Sequence, residues 1–299
     1  MRALSVSGMC IGFLLVGSSL GQQAPSRSRE QPLRLSQAAV AEDQPSPTAA
    51  ETAAAPAEGG YREVSSFFNV REANANVEQG EWELEVGTGW VTHSDGSDDD
   101  YSIWPSLKYG LTNDLYVELE VLPLNLGDGG DQGNGDLGLT VFWQFLHEEG
   151  IRPAMATWAE MRIPSGEGSS GVDGEFHISV TKSLSDRWRA HLEGWVETAN
   201  GGRGDEDENR RHFQWGLGPG IDYQIDDKTI ALLNYLHRSS EEYGHHNQNI
   251  LEIGAVRELT ETQHLKAAID IGLDGAEETP NFAAKLQWTI EWMMPGQGR

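Results

Sequence analysis

From Glu81 onward, apolar and polar residues alternate one by one, and the alternation restarts about twelve times before Trp292. A period of two is the mark of a β-strand with unlike faces, because successive side chains leave the backbone on opposite sides. "EWELEVGTGW" (81–90) sets Trp82, Leu84, Val86 and Trp90 against Glu81, Glu83 and Glu85. The same pattern returns in "YSIWPSLKYGL" (101–111), "LYVELEVLPL" (115–124), "LGLTVFWQF" (137–145), "AMATWAEMRI" (154–163), "FHISVTKS" (176–183) and "WRAHLEGWV" (188–196). It continues through "FQWGLGPGIDY" (213–223), "IALLNYLHR" (230–238), "NILEIGAV" (249–256), "LKAAIDIGL" (265–273) and "FAAKLQWTIEW" (282–292). Strands of roughly 8 to 11 residues are the length that crosses a bilayer when tilted.

The connections are short and long in turn. "LTND" (111–114), "HEEG" (147–150), "LSDR" (184–187), "IDDK" (225–228) and "ELTET" (258–262) are short. "THSDGSDDD" (92–100), "NLGDGGDQGNGD" (125–136), "PSGEGSSGVDG" (164–174), "TANGGRGDEDENRR" (198–211), "SSEEYGHHNQ" (239–248) and "DGAEETP" (274–280) occupy the long slots. A soluble barrel or propeller, with these aromatics as core, gives no reason to gather every short turn at one end. An outer-membrane barrel does, because its periplasmic turns are short and its extracellular loops long. Both chain ends then lie in the periplasm, which requires an even strand number. The expected fold is all-β: a membrane-spanning, antiparallel, up-and-down β-barrel of about 12 strands over 81–292. Trp82, Trp90, Tyr101, Tyr109, Trp143, Trp188 and Trp292, near strand ends, suit the aromatic girdles at the two interfaces.

The segments before and after the barrel read differently. Arg2, the apolar run "MCIGFLLVG" (9–17) and the small Ser19 and Gly21 make 1–21 an expected signal peptide, cut after Gly21. The lone cysteine, Cys10, lies inside that run, so the mature chain has none. Residues 22–60, rich in Ala, Pro, Ser and Glu, read as a disordered linker. Residues 61–80 form a leader, packed at the barrel mouth or continuing the linker. Residues 293–299 are a C-terminal tail. A net charge of −26 argues against nucleic acid as a partner, since little here neutralises phosphates. Expected partners are outer-membrane lipid, the barrel-assembly machinery and a small-molecule solute.

Five phrases carry a resemblance: "GLTNDLYVELEV", "GNGDLGLTVFWQFL", "RPAMATWAEMRIPSGEG", "SLSDRWRAHLEGWV" and "YQIDDKTIALLNY". In their order and spacing, over about 75–292, they resemble the phenol-degradation meta-pathway family of outer-membrane proteins. The resemblance implies a transporter or channel linked to uptake of aromatic or other small compounds, and it brings no catalytic residues. The end departs from the barrel norm. An aromatic usually closes the chain as an insertion signal, whereas Trp292 is followed by "MMPGQGR".

With the apolar face assigned to lipid, the opposite face lines the lumen. Its acids are Glu81, Glu83, Glu85, Glu118, Glu120, Glu160, Glu193, Glu197, Asp222, Glu252, Asp270 and Glu291. Its bases are Lys108, Arg162, Arg189, Arg238, Lys266 and Lys285, and His191 joins them. The excess of acids reads either as a polar pore with a cation bias or as a salt-bridged plug that fills a narrow barrel. The expectation is a passive channel or transporter for small molecules, without enzymatic activity, cofactor or metal. Two other functions compete with it. One is a non-conducting structural surface barrel. The other is a lipid-cleaving barrel resembling the outer-membrane phospholipase A family, in which "HRSS" would supply His237 and Ser239, with Asn247 or Asn249 orienting the imidazole. That family follows its serine with Asn-Gly, and here Ser240-Glu241 follows. The acidic loops "SDGSDDD" and "GDEDEN" lack an EF-hand spacing, and "GHH" (244–246) beside Glu241 and Glu242 reads as a polar loop.

Overall fold

A computed structural model describes residues 67–93, 99–121, 123–126, 133–166, 169–200, 210–275 and 279–294. The expected signal peptide and linker, and residues 61–66 of the leader, lie outside these, as do much of the acidic loops. The strands are β1 (Glu81–Thr92), β2 (Asp100–Thr112), β3 (Leu115–Glu120), β4 (Leu124–Asn125), β5 (Gly133–Asn134), β6 (Leu137–Leu146) and β7 (Ala154–Ile163). They continue with β8 (Asp173–Ser185), β9 (Trp188–Thr198), β10 (Phe213–Asp226), β11 (Thr229–Arg238), β12 (Gln248–Thr260), β13 (Gln263–Gly272) and β14 (Phe282–Met293).

Each long strand pairs antiparallel with its neighbours in sequence, and β1 pairs with both β2 and β14, which closes a 12-strand barrel. The two-residue strands β4 and β5 pair with each other and prolong the β3–β6 hairpin beyond an interruption at Val121–Pro123. Closure matters physically: with no open edge, every interstrand backbone group has a partner even where no water reaches.

The faces are inverted relative to a water-soluble protein. Leu139, Val141, Trp143 and Phe145 on β6 are exposed, while Thr140, Phe142 and Gln144 between them are buried. Val86, Ile178, Leu192, Leu217, Leu233, Ile253, Ile269 and Leu286 continue the exposed apolar band around the wall. A water-soluble monomer's largest apolar patch is typically about 300–600 Å², whereas this band encircles the molecule. Hydrocarbon is the solvent that fits it. Aromatic contacts sit at both borders. Trp82 meets Tyr109 (ring centroids 4.6 Å apart) and Trp188 meets Tyr223 (4.6 Å) at the end where β1 begins. Trp90 meets Tyr101 and Phe282 (6.4 and 6.0 Å) at the other.

The short turns repeat one device. Thr112 Oγ1 accepts the Asp114 amide (3.2 Å), Ser185 Oγ that of Arg187 (3.3 Å), Asp226 Oδ1 that of Lys228 (2.9 Å) and Thr260 Oγ1 that of Thr262 (3.4 Å). In each, an oxygen-bearing side chain caps the turn two residues on. Beside every one of them the strand register slips by one residue, a bulge that finishes the hairpin.

Candidate functional site: the lumen and the leader within it

The inward residues of the alternation build a wall of charge whose members pair across strands and, two residues apart, along a single strand. Lys108, 1% exposed, lies 2.9 Å from Glu83 and 2.8 Å from Glu85 on β1. Arg162 bonds Glu160 (3.0 Å), Arg189 bonds Asp222 (2.8 Å), and His191 Nε2 is 3.0 Å from the same Asp222. Lys285 spans Asp270 (2.5 Å) and Glu252 (3.6 Å). His177 stands between Glu175 (2.7 Å from Nε2) and Glu193 (2.8 Å from Nδ1). Lys266 is buried with its ammonium 4.5 Å from the Phe68 ring. Glu118 is 3.8 Å from Arg71, and Glu120 lies two residues further along the inward face of β3. Charges removed from bulk water must be compensated locally, and these pairs do so here.

The leader does not stop at the mouth. It rises into the lumen from the short-turn end and runs around the inside of the wall. At its barrel end, Gly80 N donates to Gly110 O (2.8 Å). Val77, Ala75 and Ala73 then pack on Tyr116, Phe142, Ala154, Ala156 and Trp158 of β3, β6 and β7. Glu72 meets Arg189 of β9 at 2.6 Å, and Arg71 N donates to Glu193 (2.5 Å). Val70 lies over Gly218 and Gly220 of β10, and a Cβ on Gly218 would fall 2.6 Å from it. Lys285 Nζ donates to Asn69 Oδ1 (2.7 Å), and Phe68 sets its ring edge-on to Trp104 of β2 at 6.4 Å. Phe67 closes the circuit against Ile230, Leu232 and Val256 of β11 and β12.

The lumen also holds aromatic rings that the outward girdles do not account for. Trp158 stacks on His177 (3.4 Å between centroids, 18° between planes), the Trp195 ring is 5.9 Å from that of His177, and the Arg71 guanidinium lies over the Trp158 ring at 4.5 Å. Glu193 joins the cluster by accepting from Trp158 Nε1 (2.9 Å), His177 Nδ1 and the Arg71 amide. Room for flat rings comes from glycine. A Cβ on Gly87 would fall 2.0 Å from Trp104, and one on Gly216 would fall 2.3 Å from Trp195.

The structure places Glu83, Glu85, Lys108, Glu118, Glu120, Glu160, Arg162, Arg189, His191, Glu193, Asp222, Glu252, Lys266, Asp270 and Lys285 on inward positions of their strands, and Glu81, Glu197, Arg238 and Glu291 with them. The residues that sequence reasoning passed over are Phe68, Arg71 and Glu72 of the leader, and Trp104, Trp158, His177 and Trp195 of the wall. The tryptophans carried a legible signal, since each stands on the charged side of the alternation. In the leader, Ala73, Ala75 and Val77 repeat with the same period, muted by small side chains.

The candidate lipase group is partly assembled. His237 Nδ1 donates to Asn249 Oδ1 at 2.7 Å, and Asn249 Nδ2 donates to Asp274 (2.5 Å). Ser239, however, is 1% exposed, and its hydroxyl oxygen accepts the Trp215 amide at 3.1 Å, so it is not presented at the lipid face. Among the described residues no three His, Cys, Asp or Glu side chains are arranged to hold a metal ion; His245 Nε2 lies 3.7 Å from Glu242.

The chain matches no family model and no curated protein. Its fold is similar to solved porins. NanC porin superposes with a TM-score of 0.52 at 10% identity, over 69% of this chain and 98% of that one. KdgM porin in complex with disordered oligogalacturonate gives 0.47 at 6% identity, over 72% and 99%. The CymD monoaromatic hydrocarbon channel gives 0.42 at 9% identity, over 77% and 95%. At these identities the likeness is one of fold.

Proposed function

We propose that this chain is an outer-membrane channel or transporter that passes small molecules through its lumen by passive diffusion, without catalysing a reaction. The supporting observation is the inverted barrel: a closed strand ladder with an apolar band outside and paired charges inside. Such a body is stable only around a polar interior and within lipid. The fold similarity to NanC porin agrees with it. The family resemblance in the sequence adds aromatic or hydrophobic compounds as the solute class. Export through the N-terminal signal, insertion by the barrel-assembly machinery and a bed of outer-membrane lipid complete the proposal. The long loops then face outward and the short turns the periplasm.

The excess of inward carboxylates favours cations, more so at low salt, where screening weakens. Refolded protein in a planar bilayer under a KCl gradient should show discrete currents and a reversal potential on the cation side. Anion preference would contradict the charge of the path. A second function, a non-conducting surface barrel, draws on the leader's packing across the lumen; it predicts silence under every condition, even with the leader expelled.

A further inference from the structure

We propose that residues 67–80 are a displaceable gate, latched to the wall by the Glu72–Arg189 ion pair, rather than a permanent core of the barrel. The inference rests on the channel function proposed above.

Three observations carry it. First, apart from the Gly80–Gly110 bond at its barrel end, the described part of the leader adds no backbone rung to a strand. The amides of Arg71, Ala73 and Ala75 donate to wall side chains, Glu193 (2.5 Å), Thr181 Oγ1 (2.8 Å) and Gln144 Oε1 (3.1 Å), while β1 to β14 pair around the full circle on their own. Withdrawal breaks no strand pairing.

Second, the wall keeps a counter-charge for each base that the leader touches, and Glu118, which loses Arg71 (3.8 Å), still faces Lys108 across the β2–β3 pairing. Arg189 keeps Asp222, Lys285 keeps Asp270 and Glu252, and Glu193 keeps His177 and the Trp158 indole. A segment built into a core usually leaves a buried charge stranded when it is removed; here Arg189, Lys285 and Glu193 each retain a wall partner.

Third, the leader carries its own local structure. Asn76, at φ 53°, turns the chain so that its side-chain Nδ2 donates to Glu72 Oε1 at 2.6 Å, and Asn74 Nδ2 donates to Oε2 at 3.4 Å. Asn is among the few residues that take this left-handed conformation readily. Glu72 thus arrives at Arg189 already held, and it can leave with its amide partners and gain water.

Glu72 is the latch because it is the leader carboxylate buried against a wall base. It is fully buried, and its contact at 2.6 Å engages the one arm of Arg189 not turned toward Asp222. Glu72→Gln keeps the shape and removes the charge. Hydrogen bonds to charged groups are worth enough that open probability should rise about tenfold or more.

The test is single-channel recording of the full chain in planar bilayers. Three variants accompany the native protein: Glu72→Gln, the double cysteine Ala73→Cys/Thr181→Cys made together with Cys10→Ser, and Val70→Asp/Val77→Asp, whose buried carboxylates expel the leader. The expected result is brief openings in the native protein and more frequent openings in Glu72→Gln. Oxidation of the cysteine pair should abolish openings and reduction of the same sample should restore them, which separates gating from misfolding. Equal current in the oxidised and reduced states would overturn the gate. So would silence of the native protein and Glu72→Gln beside steady current from Val70→Asp/Val77→Asp, because the leader would then be a permanent plug in a true channel. Silence of all of them would overturn the channel function itself, and the gate with it.

Discussion

The barrel wall and the leader inside it use much the same residues, Glu, Arg, Val, Ala and Asn, under opposite rules. In the wall the backbone is satisfied first, by an unbroken ladder, and side chains are then sorted by solvent: lipid outside, paired charge inside. In the leader the backbone borrows its partners from wall side chains, and burial rests on small groups, Val70, Ala73, Ala75 and Val77. The first arrangement is cooperative around the whole circle. The second is local, and each contact is lost without consequence for the ladder. The wall is therefore the stable body and the leader the part free to move.

The largest effect that would break this contrast lies on the lipid face. Val141, 44% exposed in the middle of β6, should not tolerate charge: Val141→Arg is expected to cost the barrel roughly 2 to 4 kcal/mol of stability by urea unfolding in liposomes. Val117→Arg on β3 should behave alike. Val70→Asp, though it buries a charge, should cost the barrel much less, because the leader can leave. If the leader variant unfolds the barrel as severely as Val141→Arg, the two regions are one cooperative unit and the contrast fails.

Next come the glycines that seat the inward rings. A Cβ on Gly87 meets the Trp104 indole at 2.0 Å, so Gly87→Val must displace that ring from the wall, at about 1–3 kcal/mol of overpacking. Near-ultraviolet circular dichroism should report the loss of its fixed environment. An unchanged spectrum would mean that the indole is not held flat on β1.

A smaller effect is expected at the latch. Glu72→Gln should lower hydrogen-exchange protection of the Ala73 and Ala75 amides by roughly 1–2 kcal/mol in opening free energy while leaving urea unfolding of the barrel unchanged. A matching loss in both would tie the leader to global stability.

The smallest effect is at a short turn that lacks the Thr, Ser or Asp cap. Glu148, between β6 and β7, accepts from Lys182 Nζ (2.5 Å), Ser183 N (3.0 Å) and Ser183 Oγ (2.9 Å). Burial pushes its carboxyl up, but these bonds outweigh that and hold it below the ordinary glutamate range. A depressed carboxyl gives stability that is complete above its unfolded value and is lost as pH falls through the folded one. Glu148→Gln should therefore cost a few tenths of a kcal/mol at neutral pH, with the difference fading as the solution is acidified below that range. A difference that persists in strong acid would assign the effect to shape rather than charge.

How much of this was legible in the sequence follows the same division. Strand alternation exposes the wall directly: "LGLTVFWQF" became β6 with its apolar side out, and "LTND", "LSDR" and "IDDK" became capped turns because each places Thr, Ser or Asp two residues before an amide that needs a partner. The inward charges followed by parity. The leader was not legible, because its backbone partners, Glu193, Thr181 and Gln144, lie between 69 and 122 residues away and no local pattern encodes them. Nor was the Trp158–His177–Trp195 stack, which three strands assemble although each ring follows ordinary alternation in its own strand. Of the two asparagines that the sequence offers for the imidazole, Asn247 and Asn249, the bond falls to Asn249, and no local pattern reveals that Ser239 turns its oxygen to the Trp215 amide.

The measurement that reaches furthest is a spin-label scan along β6, one cysteine at a time from Leu137 to Leu146, in vesicles. Accessibility to oxygen, which dissolves in hydrocarbon, is compared with accessibility to a water-soluble nickel complex. Oxygen accessibility should peak at Leu139, Val141, Trp143 and Phe145 and collapse at Gly138, Thr140, Phe142 and Gln144, where the lumen and the leader bury the label. A scan with no two-residue period, or with the peaks on the even positions, would contradict a lipid-facing apolar wall around a charged interior.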